Sequence, residues 1–169
     1  MYSLNVPLPG EVSAFAADLA RDLPGARARV RDERTLVVKR LGGDDRSEFR
    51  RLAARAREAL AGAPAFEARV VGVGVFEEAA AGPSPVVYLA VESPGLVALH
   101  RRLAEVFEPV EGIEGKNYVP HVTVARGGSV AAARRLAGRG VEPLEWTVSE
   151  LAFRDADRGQ PAGTVSLPA

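Results

Sequence analysis

The sequence contains no cysteine, which excludes disulfides, thiolate metal sites and cysteine nucleophiles together. Histidine is nearly as scarce. His100 and His121 are the only two, too few for a three-histidine zinc site. Lysine occurs only as Lys39 and Lys116 among 22 cationic residues, and 22 acidic residues balance them to a net charge of zero. That balance rules out a strongly basic nucleic-acid coat and a disordered acidic tail. The arginine excess suits carboxylates and phosphates alike, although a GC-rich coding bias gives the same skew. Long apolar runs are also missing: the start MYSLNVPLPG has no basic lead and is broken by Pro7 and Pro9. Neither a signal peptide nor a membrane span is expected, and the reading is a cytoplasmic protein. What is present is 47% apolar residues in a chain of 169, enough for one ordinary domain or two small, closely packed lobes.

The pattern alternates strands with helices. Tyr2 to Val6 reads as a strand, followed by Val12, Phe15, Leu19 and Leu23 at helical spacing up to Pro24-Gly25. Arg34 to Leu41 reads as a strand closed by Gly42-Gly43. Asp45 and Glu48 resemble a capping box ahead of a stripe of Phe49, Leu52, Ala53, Ala56 and Leu60. Strands are expected over 66–76 and 86–91, and Ser93-Pro94 opens a helix with Leu96, Leu99, Leu103 and Phe107 on its apolar face. Tyr118 to Arg126 reads as a strand, Ser129 caps a short helix ending near Gly138, Leu144, Trp146 and Val148 alternate as a half-buried strand, and Gly163 to Leu167 closes the chain. The segment Thr35 to Arg40 can be laid over His121 to Arg126. Each is a strand followed by glycines and a capped helix.

His121 and Thr123 stand two apart on a strand and so leave one face, about 7 Å apart. A histidine moves a proton near neutral pH, and a threonine hydroxyl beside it can hold a phosphate oxygen against the imidazole. On strand alternation Lys39 shares the face of Thr35 and Val37 and could supply a phosphate counter-charge there, a solvated strand end being the plainer alternative. Arg126 falls on the face opposite His121, but at the strand exit it can curl towards a phosphate. His100 lies at the edge of a helix's apolar stripe and reads as a packing residue. Gly127, Gly128 and Ser129 lead into a helix N-terminus that could meet an anion, with plain capping the commoner reason for such residues.

The run Tyr118-Val119-Pro120-His121-Val122-Thr123-Val124-Ala125-Arg126 resembles the second signature motif of the two-histidine phosphoesterases, in the branch of LigT-like 2′,5′ RNA ligases. Leu4 to Pro9 resembles that family's first strand and turn, Lys39-Arg40-Leu41-Gly42 the end of its first motif strand, and Val71 to Phe76 its central strand. Leu99-His100 falls in the helix before the second motif. The resemblance implies an α+β, bilobal fold: two pseudo-symmetric lobes of antiparallel sheet with outer helices around a central groove, interleaved in sequence within a single domain spanning residues 1–169. It implies paired H-x-T motifs whose histidines act as general base and acid on a 2′,3′-cyclic phosphate or a 2′,5′ linkage, with no metal and no cofactor. The implied partners are RNA ends or small nucleotides with a cyclic phosphate, bound by a monomer with no membrane role.

The first motif departs from that pattern. Thr35 stands at its histidine position and Val37 at its threonine position, while Arg34 is turned to the opposite face unless a bulge intervenes. None of the three replaces an imidazole. Two outcomes stay open: His121 with Lys39 or water gives a slow cyclic phosphodiesterase, or the groove binds phosphorylated nucleotides or RNA ends without turnover. Tyr118 and Phe76 are candidates for base stacking, with core packing an equal alternative for Phe76. Gly72-x-Gly74 lacks the third glycine of a dinucleotide fingerprint, and the basic face of Arg46, Arg50, Arg51, Arg55 and Arg57 reads as solvated and self-paired with Glu48 and Glu58.

Overall fold

A computed structural model describes all residues, Met1–Ala169. Nine strands form one antiparallel sheet with four helices. In chain order these are β1 (Tyr2–Val6), α1 (Gly10–Ala20), β2 (Arg27–Ala28), β3 (Leu36–Gly42), α2 (Arg46–Leu60), β4 (Phe66–Phe76) and β5 (Val86–Glu92). Then follow α3 (Pro94–Ala104), β6 (His121–Arg126), α4 (Val130–Ala137), β7 (Leu144–Val148), β8 (Glu150–Asp155) and β9 (Gln160–Ser166). The strands lie side by side as β7-β4-β5-β6-β3-β1-β8-β9, with β2 on β6. The two halves of the sheet meet at β3 and β6, joined by the pair Leu36 and Val122.

Local chemistry explains the helices. Asp45 Oδ1 accepts from the Ser47 and Glu48 amides, and Glu48 reaches back to the Asp44 amide, one residue before the expected capping-box partner. Ser93 caps α3 through the Leu96 amide with Pro94 in the first turn, and Ser129 caps α4 through the Ala132 amide. The expected apolar stripes are the buried ones: Ala53, Ala56 and Leu60 on α2, and Leu96, Leu99 and Leu103 on α3. Helix α1 packs on β6, α3 on β3 and β4, and α4 on β4 and β5. All these helices cover the sheet face bearing Leu4, Leu36, Val38, Val122 and Val124, which are fully buried. The other face of β3 and β6 stays open.

Several elements differ from the sequence reading: the strand expected from Arg34 begins at Leu36, after a 3₁₀ turn at Arg31–Glu33, and the last strand begins at Gln160, ahead of Gly163. The strand expected from Tyr118 begins only at His121, because Gly115–Asn117 form a 3₁₀ turn and Pro120 follows. Helix α1 stops at Ala20, with Leu23 buried beyond its end. Strand β8 was not anticipated, although Leu151, Phe153 and Asp155 alternate inward; it pairs β1 and β9.

The larger surprise is a parity break in β3. The register with β1 slips so that Leu4 faces Lys39 and Asn5 faces Val37, leaving Val38 as an extra residue. Such a bulge turns two successive side chains to the same side. Lys39 therefore does not share the face of Thr35 and Val37, as strict alternation would have it. It is 0% exposed, on the helix side. There its Nζ donates to Glu114 Oε2 at 2.5 Å and to the carbonyls of Arg40 and Glu108 at 2.7 and 3.0 Å. Glu114 also accepts from the amides of Arg40 and Val110, both at 2.9 Å. Burial pushes the Glu114 carboxyl up, but the bonds from Lys39, Val110 and Arg40 outweigh that and hold it below its ordinary value.

Removing one partner of a buried, fully bonded ion pair leaves an uncompensated charge, costing about 3–5 kcal/mol. Lys39→Met is expected to lower the unfolding free energy by that amount in urea titration, and a Lys39→Met/Glu114→Leu double variant to recover most of it. A Lys39→Met variant within about 1 kcal/mol of the native chain would contradict this role.

Candidate functional site

On the open face of the central strands, the Leu36–Val122 pair sets the arrangement. Antiparallel pairing at that point places Thr35 and Val37 beside His121 and Thr123 on one side of the sheet, while Leu36 and Val122 point to the core. Thr35 and His121 thus share one cleft. Arg34 does not enter it at this point: its Nη1 donates to the carbonyl and hydroxyl of Ser13 on α1, both at 3.1 Å.

Strand β6 has the same bulge as β3. Its register with β5 moves from Thr123 opposite Tyr88 to Ala125 opposite Val87, so Val124 and Ala125 are both buried. The expected alternation put Arg126 on the far face; the bulge returns it to the face of His121 and Thr123. In β3 the same break brings Arg40 to the face of Thr35 and Val37. Both bulged strands end in a glycine pair in the left-handed region, Gly42-Gly43 and Gly127-Gly128, with φ between 76° and 83°. The two strands therefore present matching triplets, Thr35-Val37-Arg40 and His121-Thr123-Arg126.

The orientation of His121 is set by one bond. Its Nδ1 lies 2.7 Å from the Val119 carbonyl, which only accepts, so Nδ1 bears the proton and Nε2 keeps its lone pair. The ring packs edge-on against Phe76 and Tyr88, with centroids 5.3 and 5.4 Å away, and those two rings stack on each other at 4.2 Å. Gly74 makes this possible, because a Cβ there would lie 2.3 Å from the Tyr88 ring. Burial is the main reason the His121 imidazole sits below its ordinary value; Arg40 and Arg126 add to it and the Val119 carbonyl opposes it. His121 is thus a neutral base at neutral pH.

Arg126 Nη1 donates to the Ala81 carbonyl at 2.7 Å, and its Nε is buried without a partner. Arg40 Nη1 lies 3.3 Å from Glu114, whose charge Lys39 already balances. A pocket of about 290 Å³ beside His121 is lined by Arg40, Arg126, Phe76, Ile113, Tyr118 and Val119 among others. It continues past Val37 and Arg40 into one of about 410 Å³ that includes Ser3, Asn5, Thr35 and Arg29. Tyr118 lines this cleft, but one face of its ring is taken by His100 at 3.8 Å, and its hydroxyl donates to the Val37 carbonyl at 2.7 Å. Burial raises the Tyr118 phenol well above its ordinary value.

His100 is away from the cleft floor and 0% exposed. Its Nδ1 donates to the Val38 carbonyl at 2.7 Å and its Nε2 accepts from the Gly115 amide at 2.9 Å. Both nitrogens are used, so it fastens the 110–118 loop and packs as expected. Ser129 is spent on capping. The basic face of α2 is in part a packing device, since Arg55 and Arg57 lie over the Phe107 and Phe153 rings at 5.1 Å. No group of three or more His, Asp and Glu residues lies close enough to hold a metal ion, and no helix is long and apolar enough to cross a membrane.

The family model of the 2′-5′ RNA ligase superfamily matches residues 36–160. The chain belongs to this superfamily. Its fold is similar to that of TT0787 of Thermus thermophilus, at 22% identity and a TM-score of 0.66, covering 98% of this chain and 94% of that one. E. coli LigT in complex with ATP is similar at 19% identity and a TM-score of 0.67, covering 98% and 96%. The same protein with 3′-AMP gives 19% and 0.66 with the same coverage. No curated protein matches the chain significantly. The LigT-like, two-histidine phosphoesterase architecture is therefore the one this chain adopts, an α+β fold with a curled antiparallel sheet. Sequence reasoning missed Arg40 as a cleft residue; the signal available was its match to Arg126 in the two superposable segments.

Because Arg40 and Arg126 both depress the His121 titration, neutralising either should raise it. The His121 ring resonance in NMR pH titrations is expected to move to a higher midpoint in Arg40→Gln and in Arg126→Gln. A midpoint unmoved by both would mean that neither cation faces the ring.

Proposed function

We propose that this chain is a metal-independent phosphoesterase acting on 2′,3′-cyclic phosphates of RNA ends or nucleotides, with His121 as its single proton carrier. The observation that supports this most directly is the imidazole itself: Nδ1 fixed by Val119, Nε2 free towards the cleft, and two guanidinium groups beside it. In this reading Arg40, Arg126 and the Thr123 hydroxyl hold the phosphate. Nε2 takes a proton from water as its oxygen attacks phosphorus. The bond from phosphorus to one ribose oxygen breaks, the guanidinium groups stabilise the charge gathered on the phosphoryl oxygens, and the leaving oxygen takes its proton from solvent. The imidazolium then releases the proton it gained. Water is added across one P–O bond and nothing else is consumed. In the ligase direction a strand's 5′-hydroxyl replaces water: it gives its proton to Nε2, attacks phosphorus and opens the ring by breaking the bond to the 3′ oxygen, which takes a proton from solvent, leaving a 2′,5′-linked strand.

The place facing His121 favours a second reading. Val37 has no titratable group, and Thr35 is too weak an acid to protonate an alkoxide. A cleft so furnished can bind phosphorylated nucleotides or RNA ends without turning them over. Leaving-group chemistry separates the two. If only the acid is missing, an aryl phosphodiester, which expels a stable phenolate, is hydrolysed far faster than an alkyl one; a pure binding site hydrolyses neither.

His121→Ala is expected to remove cyclic phosphodiesterase turnover by about 10²–10⁴-fold, the usual contribution of a positioned proton carrier. Thr35→His combined with Val37→Thr is expected to raise turnover at least about tenfold by supplying the absent partner. Turnover unaffected by His121→Ala would place the chemistry elsewhere.

A further inference from the structure

The cleft extends beyond the groups used at His121. Past Asn5 and Thr35 it opens into a pocket of about 210 Å³ lined by Arg31, Arg34 and Arg154, with Ser13 at one side. The register across β8, β1 and β3 places Arg154, Ser3 and Arg40 in one row. Arg154 is three strands away from β6, about 14 Å at the usual interstrand spacing. One phosphate cannot bridge that distance.

The cations at this end are held for charge, not neutralised. Arg154 Nη2 donates to the carbonyls of Asp32 and Gly159 at 2.6 and 2.9 Å. Arg34 is held by the Ser13 carbonyl and hydroxyl, and its Nε is buried without a partner. The arrangement repeats that of Arg126, held by the Ala81 carbonyl with its own Nε unpaired. Only three buried side-chain polar atoms in the protein lack a partner, and two of them are these guanidinium nitrogens at the two ends of one cleft. An unpaired buried donor is unfavourable, and an arriving anion relieves it. Neither Arg34, Arg126 nor Arg154 joins any of the ion pairs that tie other arginines, such as Arg69, Arg134 and Arg139. Asp32 is the single carboxylate lining the pocket, against three arginines. In a chain of zero net charge this is a local excess of positive charge aimed into a cavity.

We propose that the Arg31, Arg34 and Arg154 pocket is a second phosphate subsite, so that the preferred ligand carries one phosphate at His121 and another at this end. The proposal rests on the reading of the His121 cleft as a phosphoester site and specifies its ligand as one with at least two phosphates. A guanidinium fork recognises any phosphate oxygen pair, so the second phosphate is either the internal diester of an RNA strand or a terminal monoester on a nucleotide.

Calorimetric titration of three stable, product-like ligands tests this: a nucleoside 3′-phosphate, a nucleoside 3′,5′-bisphosphate, and a dinucleotide with an internal diester and a 3′-phosphate. At least one of the two longer ligands is expected to bind about tenfold or more tightly than the first, as charge-assisted hydrogen bonds provide. A gain with the bisphosphate identifies a terminal phosphate; a gain with the dinucleotide alone identifies the internal one. In Arg34→Gln/Arg154→Gln the ratio should fall close to one, with the salt dependence of the longer ligand's affinity reduced by about 0.7 per lost contact. Equal binding of all three ligands by the native chain overturns the proposal without any variant, and so does a ratio that survives the double substitution. The parent reading fails separately, if nucleoside 3′-phosphate binding is absent or is unchanged in His121→Ala and Arg126→Gln.

Discussion

The rest of the cleft depends on the buried pair of Lys39 and Glu114. Every donor of the Lys39 ammonium and both oxygens of the Glu114 carboxylate are matched, which is what such a pair requires to be tolerated out of water. In meeting that requirement it does three things. It keeps Lys39 on the core side, so the bulge at Val38 is maintained and Arg40 is delivered to the cleft. It ties the loop around Val110 and Glu114 to β3. It brings Gly115 to His100 and Tyr118 to Val37, closing one wall of the His121 pocket. A group that would serve as a counter-charge if exposed is here the anchor that aims a different cation.

The two halves of the sheet share a backbone device and differ in what it presents. Bulge, trailing arginine and left-handed glycine pair occur in both β3 and β6. Only β6 adds an imidazole, together with the aromatic support of Phe76 and Tyr88 that lowers its basicity by excluding water. Charge is thus nearly symmetric across the cleft, while the imidazole stands on one side only. Phosphate recognition tolerates that asymmetry because it relies on fixed cations and donors. Turnover, on the proposed reading, would be sensitive to it, because a departing oxygen would need a proton at the moment the bond breaks.

Much of this was legible in the sequence. Caps at Asp45, Ser93 and Ser129 and the stripes behind them located the helices, and the run from Pro120 to Arg126 located the cleft and its family. What escaped was parity. A strand pattern is read with a period of two, and nothing in Val37-Val38-Lys39-Arg40 announces an extra residue, because Val38 is as apolar as a correctly paired core position. The error carried through to Lys39 and Arg126, which exchanged faces relative to expectation. Strand β8 escaped because no glycine or proline separates it from β7: Val148, Ser149 and Glu150 carry the chain from one strand to the next. Glu114 could not be recognised as the partner of Lys39, since the two are 75 residues apart.

The central claim is that an anion at this cleft is held against the free nitrogen of His121. It is tested most directly by following both histidine rings by NMR as a nucleoside 3′-phosphate is added across a range of pH. A phosphate beside Nε2 stabilises the imidazolium, so the His121 midpoint should rise on binding, while His100, with both nitrogens already bonded, should not move. Saturable binding that leaves the His121 titration unchanged, or that shifts only His100, would contradict the account.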